Sequence, residues 1–577
     1  MQHAIGDHAL LADSRTAALI DPDGNVAWCC WPRVDSEPLF MSILDPDRGG
    51  SFTLRPAAAG ARVEERRYDE SPLILTSVWR ANEQSIGVVD ALMLGSTPAL
   101  VREVRTRAAP AEMEVVVRPR DAHGSQARMH ALGDVLVLEL APARVRVTAP
   151  GPWRLDDDGA RCRFQAVPEA ARHVVMAGAL AAAVDPVTAL AATRDEWSRA
   201  LRPVHALGLR AEPERALGAA GCHRLLDVSA AVLLGLRNVA GGIVAAPTAS
   251  LPQWPGSARC WDYRYCWLRD GSLAAQALLR LGLTDAAAGI GDFIGKVVAE
   301  SGVRPVVRVD GTDAPPERTA PDLRGYRGAR PVRFGNAAAD QLQADVAGEV
   351  LALAGDLGAA EALPESLAAA AHGLAGWIES NWRTTDHGIW EIRGRPRRYT
   401  HSAVMAWAGL DSAMRLAESG RIPGRGSWLQ AADAIRGDVL TSAGSALRLH
   451  IDGGAADAAL SAAVDTGFLD PGSAVATATL DLIGTELADE GVLQRYAGTQ
   501  DLLDDPCAPF IFPTFWLASA ETRAGRDGSR WLRAAASAAG PFGLFGEVRD
   551  PGSGGPLGNY PQVQSHAALV MALVAPH

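Results

Sequence analysis

This 577-residue chain has almost no lysine and no excess of positive charge. Lys296 is its only lysine, acidic residues outnumber basic ones by 67 to 55, and the formal net charge is −12. A general nucleic-acid binder carries a basic face instead, so the charge balance argues against that class of function.

Cysteine is also sparse. The chain has seven cysteines, an odd number, and two of them are adjacent at Cys29 and Cys30. No pair of cysteines has the CxxC spacing, so the sequence predicts neither a full disulfide framework nor a zinc site. We expect no metal and no organic cofactor.

Long hydrophobic runs are missing from the pattern as well. No apolar run reaches the length expected of a membrane-spanning segment, and the first residues lack a basic region followed by an apolar core. A content of 48% hydrophobic and 21% charged residues is typical of globular proteins. We therefore expect a soluble cytoplasmic protein without membrane or nucleic-acid partners. No feature of the sequence indicates an oligomeric state.

The sequence pattern changes near residue 185. A chain of 577 residues is also expected to form more than one hydrophobic core. Before that point, short alternating runs such as Val145–Thr148 are separated by turn signals, of which Asp21-Pro22-Asp23-Gly24 is a strong one. This pattern predicts an antiparallel β-sandwich over residues 1–185. Residues 186–206 are predicted to form a helical linker. Alanine- and leucine-rich segments with helical periodicity predict a helical domain over residues 207–577, with room for about a dozen helices.

The most unusual stretch of the chain is Arg259–Asp270. It combines four aromatic residues, three arginines and two aspartates within twelve positions. Aromatic rings cover the apolar faces of a sugar, and charged forks hold its hydroxyls, so the run predicts a carbohydrate site. A buried helix start with structural ion pairs is the alternative that the composition leaves open. The candidate sugar contacts are Trp261, Asp262, Arg264, Trp267, Arg269 and Asp270.

Two glutamates in aromatic or glycine-rich loops are candidates for acid–base chemistry. Acetal hydrolysis needs one protonated carboxyl group and one ionised carboxylate. Glu391 suits the acid because its neighbour Trp390 offers an apolar wall that would raise its pKa. Glu547 suits the base because it lies in a glycine-flanked loop that we expect to be open to water. Taken alone, an isolated glutamate in a loop is more often a solvated surface carboxylate.

The order and content of these motifs resemble glycoside hydrolase family 15, which comprises glucoamylases, glucodextranases and trehalases. The resemblance extends over nearly the whole chain. The segments that carry it are Ile5–Asp7, Leu19–Gly24, Trp28–Ser36, Ala245–Pro252, Trp261–Asp270, Gly335–Ala338, Gly388–Glu391, Thr400–Trp407, Phe515–Ala518, Leu557–Gln562 and Ser565–His566.

The resemblance implies a fold and an activity. The fold is an N-terminal β-sandwich followed by an (α/α)6 barrel whose loops form the active site at one end. The activity is that of an exo-acting, inverting α-glucoside hydrolase, of trehalase or glucoamylase type, that acts on a small carbohydrate. Glu391 matches the general acid and Glu547 the general base. Arg269 and Asp270 match residues that hold the hydroxyls of the glucose at the cleavage point, and Trp267 matches an aromatic wall of that subsite.

Trp390 and His401 complete the set of substrate-binding candidates. By resemblance Trp390 would stack near the cleaved sugar. His401 is open between a hydrogen bond that braces its loop and a contact to the substrate.

Some positions depart from the family pattern. Gln253 stands where a glutamate is usual, Cys260 where an asparagine is usual, and Cys507–Phe510 replaces an acidic, glycine-containing segment. Both candidate glutamates are present, so we expect hydrolytic machinery with an unusual substrate preference. The alternatives are a phosphorylase, a barrel repurposed for an atypical glycoside or for natural-product cyclisation, and a sugar-binding protein without ordinary glucosidase activity.

Overall fold

The computed structural model describes residues 2–95, 97–141, 143–498, 500–501, 503 and 505–575. Over these residues the chain forms an N-terminal domain of antiparallel sheets and a C-terminal domain of helices, so the predicted α+β organisation is confirmed. The last strand of the sheets ends at Gly178 and the first long helix begins at Pro186. The predicted change at residue 185 falls between these two points.

The N-terminal domain contains two eight-stranded sheets within the described residues. The first sheet has the order β1-β2-β3-β5-β10-β15-β14, with β4 paired to β3, and the second has the order β11-β12-β13-β16-β9-β8-β7-β6. Their bounds are β1 Ala9–Ala12, β2 Ala17–Ile20, β3 Asn25–Cys30, β4 Pro38–Phe40, β5 Ser51–Pro56, β6 Arg62–Tyr68, β7 Ile74–Ala81, β8 Gln84–Leu92, β9 Ala99–Thr106, β10 Ala111–Arg118, β11 Arg128–Leu132, β12 Val135–Leu140, β13 Ala143–Thr148, β14 Trp153–Leu155, β15 Ala160–Ala166 and β16 Arg172–Gly178.

Side-chain alternation explains why these segments form a two-layered domain. In β15, every second residue is buried and the residues between them are exposed, as expected of a strand with one face on a core. The two sheets are also joined by a buried cation. Arg102 of the second sheet donates to Asp90 in the neighbouring strand and to the carbonyl oxygens of Phe52 and Gly24 in the first sheet. These bonds satisfy a guanidinium that is fully buried.

The helices of the rest of the chain form a double-layered ring. Their bounds are α1 Pro186–Ala200, α2 Arg202–His205, α3 Ala211–Leu217, α4 Ala219–Leu236, α5 Leu268–Arg280, α6 Thr284–Ser301, α7 Asp345–Ala359, α8 Glu365–Asn381, α9 Thr400–Glu418, α10 Ser427–Ser442, α11 Ala462–Asp465, α12 Ala474–Glu486, α13 Ile511–Arg523, α14 Ser529–Ala536 and α15 Val563–Leu573. Among the described residues, α5, α7, α9, α11, α13 and α15 contact one another in a closed inner ring, and α4, α6, α8, α10, α12 and α14 lie outside it. This is the (α/α)6 barrel that the family resemblance implied.

Short paired strands stiffen the loops of the barrel. They are β17 Ala249–Pro252 with β18 Cys260–Asp262, β19 Cys266–Trp267 with β20 Val306–Val307, β21 Arg318–Thr319 with β22 Arg333–Phe334, β23 Ala488–Asp489 with β24 Val492–Leu493, and β25 Val548–Arg549 with β26 Pro556–Leu557. The segment singled out in the sequence, Arg259–Asp270, thus contains β18, β19 and the start of α5.

Helix α4 differs from the sequence expectation. In the part of the chain that the structure describes, it is the one helix long and apolar enough, by length and composition, to cross a membrane, and 61% of it is buried inside the protein. It packs on α15 and α3. Although α4 belongs to the outer layer of the barrel, it packs on α15 on one side and also contacts strand β1 of the N-terminal domain, which explains its apolar composition.

Hydrogen bonds join the sheets to the loops of the barrel. The indole of Trp28 in β3 donates to the carbonyl oxygen of Pro247 at 2.7 Å. Arg33 pairs with Asp310 at 2.6 Å. The N-terminal domain therefore supports the loop that precedes α5 and the loop that follows α6.

Candidate active site

A cavity lies at the ends of the inner helices where α5, α13 and α15 begin. It encloses about 830 Å³ of atom-free space, including the open solvent at its mouth. Its lining is rich in charged and aromatic side chains, among them Arg259, Trp261, Tyr263, Trp267, Arg269, Asp270, Trp390, Glu391, Arg393, Arg495, Asp501, Phe510, Phe512 and Glu547. Such a lining does not match the apolar cavity expected of a natural-product cyclase.

Arg269 and Asp270 form the floor of the cavity in the first turn of α5. One terminal nitrogen of Arg269 donates to Gln343 at 2.7 Å and lies 3.3 Å from Asp345, and the other lies 3.2 Å from Oε1 of Glu391. Burial raises the pKa of Asp270 to about 6. Nε of Arg269 and Oδ2 of Asp270 are buried without a hydrogen-bond partner among the described residues. These two atoms lie 3.6 Å apart and form an ion pair with each other. Both residues line the cavity, where charged side chains of this kind can hold the hydroxyls of a sugar.

Glu391 lies in a tight turn before α9. Its φ is +55°, a left-handed conformation that non-glycine residues rarely adopt. Such strain is often stored at functional sites. Its Oε1 accepts the indole N–H of Trp267 at 2.5 Å and a guanidinium N–H of Arg269 at 3.2 Å. The side chain is 23% exposed, so Glu391 is fixed by two donors while part of it faces the cavity.

Glu547 lines the same cavity and lies just before β25. Its Oε1 accepts the hydroxyl of Tyr263 at 2.6 Å and its Oε2 accepts the amide N–H of Gln253 at 2.8 Å. We expected a loop open to water, but Glu547 is only 5% exposed. That expectation is wrong because the segments that carry Gln253 and Tyr263 fold over the loop. Burial raises the pKa of Glu547 to about 7, against the effect of both hydrogen bonds.

Two predicted aromatic contacts line the cavity in different ways. Trp261 lies between two arginines, with Arg393 4.1 Å and Arg333 4.6 Å from its ring centroid. Trp390 donates its indole N–H to Asp457 at 2.8 Å, and its ring packs against Phe510 and other aromatic side chains. The indole that contacts Glu391 is therefore that of Trp267, not that of Trp390.

Three predicted sugar contacts lie outside the cavity lining. Asp262 and Arg264 form a buried bidentate ion pair at 2.7 and 2.9 Å, and Asp262 also accepts the backbone N–H of Gly335. Arg264 donates to the carbonyl oxygen of Ser36 in the N-terminal domain. His401 is buried in the first turn of α9, and burial lowers its pKa to about 4. The structure places these three side chains behind the wall of the cavity.

The placement of Arg264 leads to a stability prediction. Arg264→Met should lower the free energy of unfolding by roughly 3–5 kcal/mol, because it leaves Asp262 buried without its partner. Lys296→Met is the control: it breaks an exposed pair with Asp292 and should cost less than about 1 kcal/mol. Urea unfolding measures both changes. A weakened affinity for substrate with unchanged stability would contradict a supporting role for Arg264.

Several cavity residues were not among the predicted contacts. Tyr263 stands inside the segment singled out in the sequence, and its ring meets that of Trp267 edge to face at 5.6 Å. Gln253 was noted only as a departure from the family pattern. Arg495, which lies 3.2 Å from Asp501, stands in a stretch with no distinguishing signal. It reaches the cavity only through the fold.

One group of potential metal ligands is found among the described residues. His3, Asp21 and Asp23 have ligand atoms within 4.8 Å of one another. They lie in the N-terminal domain and outside the cavity lining. His3 and Asp23 already pair with each other at 2.8 Å.

Comparison with known proteins agrees with this geometry. The family model described as "Glycosyl hydrolases family 15" matches residues 228–574, which hold the barrel from the second half of α4 onward and every cavity residue named above. The chain belongs to glycoside hydrolase family 15. A second model, "Trehalase-like, N-terminal", matches residues 2–195. The resemblance found in the sequence is thus confirmed, and the family 15 chain is an O-glycosyl hydrolase.

Individual relatives of this family 15 chain match over nearly its whole length. Trehalase of Mycobacterium tuberculosis is 32% identical, covering 99% of this chain and 89% of its own. Trehalase 1 of Sulfolobus acidocaldarius is 29% identical, covering 98% and 97%. The crystal structure of a bacterial glucoamylase complexed with acarbose superposes with a TM-score of 0.67 at 14% identity, covering 98% and 94%. That similarity confirms the β-sheet domain followed by an (α/α)6 barrel.

Proposed function

We propose that this chain is an exo-acting, inverting α-glucoside hydrolase with Glu391 as general acid and Glu547 as general base. The observation that carries the proposal is that both glutamates line one cavity whose floor is the Arg269–Asp270 pair. A clamp for sugar hydroxyls beside two carboxyl groups is the minimum that acetal hydrolysis requires.

We propose the following reaction for these groups. Glu391 gives its proton to the glycosidic oxygen as the bond from that oxygen to the anomeric carbon breaks. A water molecule attacks the anomeric carbon from the opposite face, and Glu547 takes its proton. Tyr263 and Gln253 each occupy one acceptor site of Glu547, and a carboxylate has about four. Acceptor sites are therefore left for the attacking water.

We propose trehalose as the substrate, with short α-glucosides such as maltose as the second candidate. The support comes from relatives named trehalases that match 89% and 97% of their own lengths, with domains in the same order. A different observation favours an atypical glucoside: Gln253 and Cys507, both departures from the family pattern, lie together beside Glu547.

The assignment of the two roles follows the family motifs. Burial of Glu547, which raises its pKa to about 7, would also suit a proton donor. The dependence of each glutamate variant on the leaving group separates the two assignments.

The anomeric form of the product tests the proposed reaction. Inversion of α,α-trehalose releases one β-glucose from the attacked ring and one α-glucose as leaving group, so early spectra should show both anomers in equal amounts. Proton NMR before mutarotation measures the ratio, and maltose and isomaltose complete the panel. Release of α-glucose alone would indicate retention, and glucose 1-phosphate among the products would indicate a phosphorylase. Either result would overturn the proposal.

A further inference from the structure

The carboxylate of Glu547 is held at both oxygens by residues from a different loop. Tyr263 donates to Oε1 at 2.6 Å, and Gln253 donates to Oε2 at 2.8 Å. Gln253 follows β17 directly and is 2% exposed. Gln253 is therefore a nearly buried part of the cavity wall that contacts Glu547.

The amide of Gln253 is fixed in one orientation. The backbone of this residue is held at both ends: the backbone N–H of Gln253 donates to the carbonyl oxygen of Arg259, and its backbone carbonyl oxygen accepts the N–H of Ala508, both at 3.0 Å. The thiol of Cys507 lies 3.8 Å from the amide oxygen and donates to it. Burial raises the pKa of Cys507, so the thiol keeps its proton and stays a donor. If the amide were flipped, its oxygen would face a carboxylate, and two acceptors would meet.

We propose that Gln253 is a positioning residue for the general base, which orients Glu547 and favours its ionised form through the amide N–H. The inference rests on the proposed role of Glu547. It goes beyond that role because it assigns a function to a position at which the chain departs from its family, and it gives Cys507 the part of orienting the amide.

The charges around Glu547 determine the direction of the effect. Burial raises the pKa of this carboxyl to about 7, and Glu391 acts in the same direction. The hydrogen bonds from Tyr263 and Gln253 and the positive charge of Arg495 act against it. Removal of the Gln253 donor should therefore raise the pKa of Glu547 further, and the base will lose its ionised form at a higher pH.

An amide differs from a carboxyl group in this position. Gln253 cannot ionise, so it donates to Glu547 at every pH. A glutamate would donate only while it holds a proton, and the two carboxyls would then titrate as a coupled pair. With glutamine, the general base of this chain titrates without a second carboxyl bound to it.

The test is the pH profile of kcat/KM on trehalose, or on the best substrate of the α-glucoside panel. Gln253→Met keeps the length of the side chain and removes the donor. Its acidic limb should move upward by about one to two pH units, since a hydrogen bond to a charged group has roughly that effect on a pKa. Because the pKa of Glu547 starts at about 7, activity at pH 5 should fall about five- to tenfold more than activity at pH 8.

Two further variants separate positioning from a general structural effect. Gln253→Glu restores a donor while its carboxyl is protonated, so its acidic limb should return to or below the wild-type position. Gln564→Met is the matched control, because Gln564 lines the same cavity without a contact to Glu547 among the described residues. It should leave the acidic limb in place even if KM changes.

The variants distinguish a failure of the positioning role of Gln253 from a failure of the proposed role of Glu547. If Glu547→Gln abolishes hydrolysis but Gln253→Met leaves the acidic limb unmoved, Glu547 is the base and Gln253 does not position it. An upward shift that Gln564→Met produces equally would also overturn the inference. If Glu547→Gln retains activity, the proposed function itself fails.

Discussion

Glu547→Gln should lower kcat by roughly 10²–10⁴-fold on every substrate, whatever its leaving group, because the attacking water loses the base that takes its proton. The amide is nearly the same size as the carboxyl and can still bond to Tyr263 and Gln253. Substrate binding should therefore change little, and the loss should appear in kcat rather than in KM. Steady-state kinetics on trehalose and on α-glucosyl fluoride measures it.

The matched control for this variant is Glu349→Gln. Glu349 is also a buried glutamate of the barrel, and burial raises its pKa to about 8. It is therefore neutral at pH 7, where an amide replaces it closely, and kcat should stay within about threefold of wild type. An equal loss in both variants would assign the effect to the packing of the barrel and not to a base.

The free energy of unfolding tests whether the Glu547→Gln protein is folded. The pKa of Glu547 rises from 4.5 to about 7 on folding. As the pH increases through this range, the unfolded chain releases the proton while the folded protein keeps it, so wild-type stability falls. At pH 8 the variant should be more stable by about 3 kcal/mol, at 1.36 kcal/mol per pKa unit. Below pH 4.5 the gain should vanish in urea unfolding.

Glu391→Gln should lower kcat on trehalose by roughly 10²–10⁴-fold but leave α-glucosyl fluoride hydrolysis within about tenfold of wild type. A sugar leaves poorly unless its oxygen is protonated, whereas fluoride departs without a proton. The contrast between the two substrates is specific to the loss of an acid.

The two glutamate variants together assign the roles. If Glu391→Gln loses activity equally on both substrates while Glu547→Gln retains hydrolysis of the fluoride, the acid and the base are interchanged. The burial of Glu547, which raises its pKa to about 7, would then keep the acid protonated near neutral pH. If the fluoride is hydrolysed normally only by Glu391→Gln, the proposed assignment is supported.

The sequence predicted the segment that carries the cavity residues better than it predicted the surroundings of each residue in that segment. Arg269, Asp270 and Trp267 were singled out from composition and motif order, and all three line the cavity. Asp262 and Arg264 stand in the same short segment, and they form a buried pair behind it. Residue types at neighbouring positions cannot show this difference, because it depends on which side of the irregular β18–β19 segment faces the barrel.

Exposure was the property that the sequence predicted least well. Glycines around Glu547 indicated an open loop, but Gln253 and Tyr263 cover it from positions 294 and 284 residues away. Long-range contacts of this kind leave no local pattern. The sequence pattern also indicated no apolar run of membrane-spanning length, whereas α4 reaches that length. Its hydrophobic surface is explained by the elements that pack on it.

By itself, the sequence determined the change from strands to helices, the family, and the order of the motifs that supply Glu391, Glu547 and the Arg269–Asp270 clamp. These follow from local periodicity and from side chains whose chemistry is visible in the chain. Only the tertiary structure decided that Glu547 is buried, that Gln253 and Tyr263 hold it, and that Asp262, Arg264 and His401 lie behind the cavity. Burial and hydrogen bonding depend on segments distant in sequence, and these interactions set the pKa of Glu547.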